Sequence, residues 1–163
     1  MIRHSLRTLC AASLVIAPLA LSSPAQAATS CSVNGVPASG PTVNGTAGSD
    51  FIQCSSVDAG HSVNGLGGSD TIFLTGPVNG TVSGGTEGDF ISVGASAAVA
   101  GVVAGGDGGD HISVGGLVTP AGRVLGGNQG DFLQVAVNQG VVDGGAGVDA
   151  CRVSAGNAPV NCP

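Results

Sequence analysis

Six aspartates carry the most regular signal in the chain. Asp50, Asp70, Asp89, Asp110, Asp131 and Asp149 follow one another at intervals of 20, 19, 21, 21 and 18 residues. Each stands at the same place in a repeated segment. The copies read VNGTAGSDFI (43–52), VNGLGGSDTI (63–72), VSGGTEGDFI (82–91), VAGGDGGDHI (103–112), VLGGNQGDFL (124–133) and VDGGAGVDAC (142–151). A carboxylate repeated at one structural phase suggests the binding of a cation through oxygen. If the copies stack as parallel strands, equivalent residues lie about 4.8 Å apart. Like charges at that spacing repel by roughly 1 kcal/mol in water and about 3.5 kcal/mol at an effective dielectric of 20. Summed along the row, that rivals the stability of a whole small domain, commonly about 5–15 kcal/mol. Calcium would relieve it, because it takes 6–8 oxygen ligands, backbone carbonyls among them, and tolerates irregular geometry. Magnesium demands a stricter octahedron. The competing reading is a metal-free fold whose aspartates only shape turns, which Asp favours anyway. Six at one phase favour the metal.

The elements that must position these carboxylates are strands. Valine opens all six copies, and glycine follows two residues later as Gly45, Gly65, Gly84, Gly105, Gly126 and Gly144. The residue two past each aspartate is Ile, Leu or Cys. A fixed period near 20 is the sign of a solenoid, whose units bury an apolar face only by stacking on neighbours. After the aspartates, Phe51-Ile52-Gln53-Cys54, Phe90-Ile91-Ser92-Val93 and His111-Ile112-Ser113-Val114 alternate with the period of a strand. Ile52, Ile72, Ile91, Ile112, Leu133 and Cys151 are therefore expected to point inward, with the residues two further on. The expected fold is all-β: a parallel, right-handed β-roll or β-solenoid of about six coils of about 20 residues, with one motif turn per coil.

The copies resemble the glycine-rich repeats of RTX (hemolysin-type) calcium-binding proteins, whose motif is G-G-x-G-x-D-x-U-x. Gly105-Gly106-Asp107-Gly108-Gly109-Asp110-His111-Ile112 matches every fixed position, and Gly144-Gly145-Ala146-Gly147-Val148-Asp149 matches up to the aspartate. The resemblance spans roughly Val43 to Val153. It implies several Ca2+ ions held by the six motif aspartates and the motif glycines. Asp107 and Glu87 are, by residue type, alternative candidates for added oxygen ligands. The copies also depart from the motif. Thr46 and Leu66 replace its second glycine, and Glu87 and Gln129 its third. A side chain there resists a positive φ, so the neighbouring sites are expected to be weaker. The family motif recurs about every nine residues, but here it recurs about every 20. A single row of ion sites along one edge is expected, with the other edge turned by unmarked loops such as Gly115-Gly116.

Composition bounds the rest. Glycine supplies 30 of 163 residues, only 9% are charged, and neither Trp nor Tyr occurs. Arg3 and Arg7 precede an apolar run from Leu9 to Leu21, and Ala25-Gln26-Ala27 follows as a small-residue cleavage site. That is the layout of a secretory signal peptide over residues 1–27, and the run is too short for a transmembrane anchor. Removing it leaves two arginines against ten acids, a balance of −8. No basic stripe exists for nucleic acid. In an exported chain Cys31, Cys54, Cys151 and Cys162 read as disulfides. Three connectivities are open, and position along the chain favours Cys31–Cys54 with Cys151–Cys162. Residues 28–42 form an N-terminal cap, 43–153 the glycine-rich roll and 154–163 a C-terminal cap.

Other candidates are weaker. Asp58, His61 and Ser62 lie too close in sequence to form a catalytic triad with one another and read as an exposed polar loop. The GxGxxA string at 145–150 lies inside the repeat with no helix after it. Phe51, Phe90 and Phe132 share the outward slot after the aspartate, with Phe73 nearby. They are expected to stack along the outside, with His111 also outward. The functional expectation is a secreted calcium-ion-binding repeat protein whose folding or rigidity is coupled to Ca2+, and not an enzyme. The alternative is an extracellular adhesin or matrix module that meets a cell-surface or matrix partner through the phenylalanine face. A β-helix enzyme acting on polysaccharide ranks last.

Overall fold

The computed structural model describes residues 29–163; the expected leader, with Cys10, lies outside them. The described chain begins with two antiparallel strands, β1 (Ser30–Val33) and β2 (Val36–Ser39). They are joined by Asn34-Gly35, both at positive φ, which is the favoured chemistry for a two-residue hairpin turn. The hairpin closes one end of a parallel solenoid. In the solenoid, β3 (Thr42–Asn44) and β4 (Phe51–Cys54) make the first coil, and β5 (Ser62–Gly67) and β6 (Thr71–Leu74) the second. The third comprises β7 (Thr81–Thr86), β8 (Phe90–Val93) and β9 (Ala98–Val99), and the fourth β10 (Val102–Asp107) and β11 (His111–Val118). Two further coils follow, β12 (Arg123–Asn128) with β13 (Phe132–Asn138) and β14 (Val141–Ala146) with β15 (Ala150–Gly156).

The strands before the aspartates form one sheet in the order β14-β12-β10-β7-β5-β3. Those after them form another, β15-β13-β11-β8-β6-β4-β1-β2, with β9 alongside β11. Coil-to-coil pairing is parallel and in motif register: Ile72 lies beside Ile52 and Ile91, and Val103 beside Val82 and Val124. Among the described residues there is no helix, and so none long and apolar enough to cross a membrane. The all-β solenoid of about six coils is the fold of this chain.

The core is lined from three sides of the coil. Val43, Val63, Val82, Val103, Val124 and Val142 face it from the first sheet. Ile52, Ile72, Ile91, Ile112 and Leu133 face it from the second, followed by Cys54, Leu74, Val93, Val114 and Val135. Cys151 and Val153, the last members, are only partly covered. The third side, Val57, Val78, Val99 and Val118, closes the coil where no marked turn was expected, and ends at Asn138. Gly115-Gly116 is not a loop there. The pair lies within β11, at a register shift between Val114 and Leu117 that re-aims the strand onto this third side. A Cβ on Gly116 would stand 1.8 Å from the Ala97 carbonyl oxygen, so the bulge needs glycine.

The outer face of the second sheet carries a ladder of rings. Phe51, Phe73, Phe90, His111 and Phe132 follow one another with centroid separations of 5.6, 5.8, 5.0 and 4.8 Å, each pair tilted by 50–58°. The separations lie in the range of favourable tilted aromatic pairs. The expected stacking is present, and Phe73 fills the place left by Thr71 in the outward slot. Disulfides join Cys31 to Cys54 at the hairpin end and Cys151 to Cys162 at the other.

Candidate metal centre

The six motif aspartates turn inward and are only 2–4% exposed. The Asp50 backbone N–H donates to Asp70 Oδ1 at 2.8 Å. The same bond, at the same length, runs from Asp70 to Asp89, Asp89 to Asp110, Asp110 to Asp131 and Asp131 to Asp149. One oxygen of each carboxylate from Asp70 to Asp149 is thus a rung between coils. The other oxygen is different. Oδ2 of Asp70, Asp89, Asp110, Asp131 and Asp149 is buried with no hydrogen-bond partner. A buried polar atom left without a partner costs about 1–3 kcal/mol, and more when it is charged.

The first glycine of each motif explains how these oxygens fit. A Cβ at Gly65, Gly84 or Gly105 would stand 2.1 Å from the Oδ2 of its own coil's aspartate; at Gly126 the distance is 2.3 Å and at Gly144 2.8 Å. Next-coil carbonyl oxygens close on the same points. They belong to Gly84, Gly105, Gly126 and Gly144 and, at the last coil, to Asn161, at 2.2–2.7 Å. Each unpartnered carboxylate oxygen and a next-coil carbonyl oxygen therefore crowd the same point beside the first glycine. The second glycine has a separate reason. At Gly106, φ is 126° and a Cβ would stand 2.1 Å from the Gly85 carbonyl oxygen of the coil before. Leu66 takes that slot in the second copy with φ 85°, and Glu87 and Gln129 take the later glycine slot with φ 75°. The left-handed conformation, which costs a non-glycine residue roughly 1–2 kcal/mol, is thus imposed by the coil on three side chains.

Burial sets the electrostatics. It pushes Asp89 up to about 7 and Asp131 up to about 6, against the opposing effect of the backbone N–H each accepts. Asp70 and Asp110 are raised by burial in the same way, with Asp50 and Glu87 adding charge repulsion at Asp70 and Asp107 at Asp110. Asp50 is the exception. The Thr46 backbone N–H holds it below the ordinary carboxylate value, helped by the Asn34 amide and the Thr46 hydroxyl.

The structure brings the six aspartates and the first glycines into one internal row. Asp107 and Glu87 stay on the exposed rim, where Asp107 accepts a bond from the Asn128 amide. Asp58 and His61 are half-buried rather than exposed, and Nδ1 of His61 meets the hydroxyl of fully buried Thr29 at 2.7 Å, docking the start of the described chain on the second coil. Among the described residues no three His, Cys, Asp or Glu side chains converge on one point. The donors on hand at each position are carboxylate oxygen and backbone carbonyls, the hard-oxygen chemistry that suits calcium. The protein is a parallel β-solenoid with an internal carboxylate row. Comparison with family models, curated proteins and solved structures finds no match.

Two outcomes follow. Gly105→Ala, whose Cβ would collide with Asp110 Oδ2, should lower stability by about 1–3 kcal/mol in urea denaturation, and an unchanged midpoint would contradict this packing. An acid with a raised folded-state pKa binds its proton more tightly folded than unfolded. Its contribution is complete below the ordinary 3.8 and is lost as pH rises to about 7. Asp50, lowered instead, contributes fully above the ordinary 3.8, throughout this window, and loses its contribution only as pH falls below it. In chelator, stability should therefore fall between about pH 4 and 7; a flat or rising profile would contradict the desolvated row.

Proposed function

We propose that this chain is a secreted calcium-ion-binding repeat protein, not an enzyme, whose folding or rigidity is coupled to Ca2+. One observation carries the reading: buried carboxylate oxygens stand without partners, each crowding with a carbonyl oxygen beside the first glycine, along the length of the solenoid. The residues that would hold the ions are the motif aspartates together with the carbonyls of the glycines that face them. A bound cation would supply the positive charge that these crowded oxygens lack. The chain's own residues do the rest. The Asp-to-Asp hydrogen bonds fix each carboxylate, the first glycine leaves room for it, and the valine and isoleucine rows exclude water. The RTX-like motifs support the same reading. Secretion is supported by the leader-like start and by two disulfides, which persist in oxidising surroundings.

Because the ions bind the folded coil and not the open chain, stabilisation grows with concentration, about 2.7 kcal/mol per site at 100 times Kd. Circular dichroism and thermal melts in chelator should show weaker strand signal and a lower Tm, both restored by millimolar calcium and not by equal magnesium. Identical spectra and melts under both conditions would remove this function.

A second reading, an adhesin or matrix module, is favoured by the ring ladder, in which Phe51 is 46% and Phe132 36% exposed. On that reading, replacing Phe51, Phe90 and Phe132 with serine abolishes attachment to cells or matrix while calcium affinity survives. Unchanged attachment argues for stacking alone.

A further inference from the structure

The six aspartates are alike in sequence but not in their surroundings. Five have an unpartnered Oδ2: Asp70, Asp89, Asp110, Asp131 and Asp149. Asp50 has none. Its Oδ2 accepts from the Thr46 backbone N–H and from the Thr46 hydroxyl, and its Oδ1 from the Asn34 amide. Asn34 belongs to the turn between β1 and β2, outside the repeat. Thr46 stands in the slot that holds glycine in four of the copies. Asn34 thus replaces the preceding-coil N–H that the other five aspartates accept at Oδ1, and Thr46 supplies the Oδ2 donors that those five lack.

The last coil raises the opposite problem. Asp149 has no following motif to offer it a carbonyl, yet one is present. A Cβ at Gly144 would stand 2.3 Å from the carbonyl oxygen of Asn161. The equivalent partner of the coil before is Gly144 itself, at 2.2 Å from the Gly126 point. Asn161 is held by its neighbours. Its amide donates to Asp143 Oδ1 at 2.7 Å, Val160 pairs beside Asp143, and Gly144 N–H donates to the Val160 carbonyl at 3.0 Å. Cys162, the next residue, is bonded to Cys151 of the same coil. This short segment imitates one rung of a seventh coil.

We propose that the cation row comprises five positions, Asp70 to Asp149, with Thr46 standing in for an ion at Asp50 and the Asn161 carbonyl, tethered by Cys151–Cys162, completing the last position. The inference rests on the calcium reading above and specifies it. Thr46 ends the row because its two hydrogens occupy the Asp50 Oδ2 that would otherwise be free for a cation. The disulfide at the other end keeps the final position built, since nothing else covalent holds the segment after β15.

The test is a count of bound calcium on the folded protein by native mass spectrometry, with metal analysis of the same samples. The wild-type protein should carry five ions. Asp50→Asn should keep five. Asp149→Asn should carry four, and so should the double variant Cys151→Ser with Cys162→Ser, which frees Asn161 while leaving Asp70 to Asp131 untouched. Circular dichroism of each variant in calcium identifies any that has failed to fold. For such a variant, the wild-type count and the rate of amide exchange at Gly144 before and after reduction decide instead: reduction should speed that exchange. Six ions on the wild-type protein, loss of one ion with Asp50→Asn, or five ions retained when the C-terminal segment is freed would overturn the inference while leaving calcium binding in place. No calcium on any variant overturns both.

Discussion

The structure depends on a single contact repeated between coils: the backbone N–H of one aspartate donating to the carboxylate of the next. In a parallel stack the strands pair through their own ladders, but the corner between two sheets must satisfy its polar groups by other means. Here the aspartate supplies an acceptor to the neighbouring corner. To reach it the side chain must turn inward, and the space it enters is the space a Cβ would fill five residues earlier. Aspartate and first glycine are thus one requirement. The consequence is a buried row of carboxyl groups that a solvent-facing turn would not create, with burial working against ionisation at Asp89 and Asp131 most of all.

A solenoid built this way must be closed at both ends, since every coil leaves an apolar layer for a neighbour to cover. The N-terminal hairpin does so by running antiparallel to the first coil, so the row of parallel strands does not continue outward through β2, and Pro37 removes one donor from that edge strand. The C-terminal end is closed unequally. Val160 and Asn161 cover the first sheet, while Cys151 and Val153 at the end of the second remain partly open. The two disulfides sit at these two ends, where the neighbour that would otherwise hold a strand in place is missing on one side.

Much of this was legible in the residues. The phase of the aspartates, the inward isoleucines, the outward phenylalanines and the turn-rich composition all express side-chain type, and side-chain type is what a sequence displays. The pairing of Cys31 with Cys54 was favoured by position and is the one formed. What escaped depends on the backbone. Nothing in the letter code marks Asn161 as a carbonyl donor, because every residue has a carbonyl. Asn34 was invisible for another reason, as it lies outside the repeat and meets Asp50 only after the hairpin folds back. The bulge at Gly115-Gly116 looked like a loop because paired glycines are usually turns. It took the Val57, Val78, Val99 and Val118 row to show that the chain makes a third side there.

The two faces of the post-aspartate strands differ in the variation they accept. On the inner face, a residue meets the coil above and the coil below at near-crystal density, so a change in one copy strains both neighbours. The copies accordingly keep Ile or Leu after the aspartate until the open end, where Cys151 enters a layer with one neighbour and a disulfide. On the outer face, the ring slot admits Thr71 and His111 among phenylalanines. Solvent absorbs the mismatch there, and Phe73 reaches across to keep the rings in contact. Glu87 and Gln129 extend the same logic to the rim. Their positive φ is a strain the neighbouring coils impose, and it is tolerated because the side chains themselves remain in water.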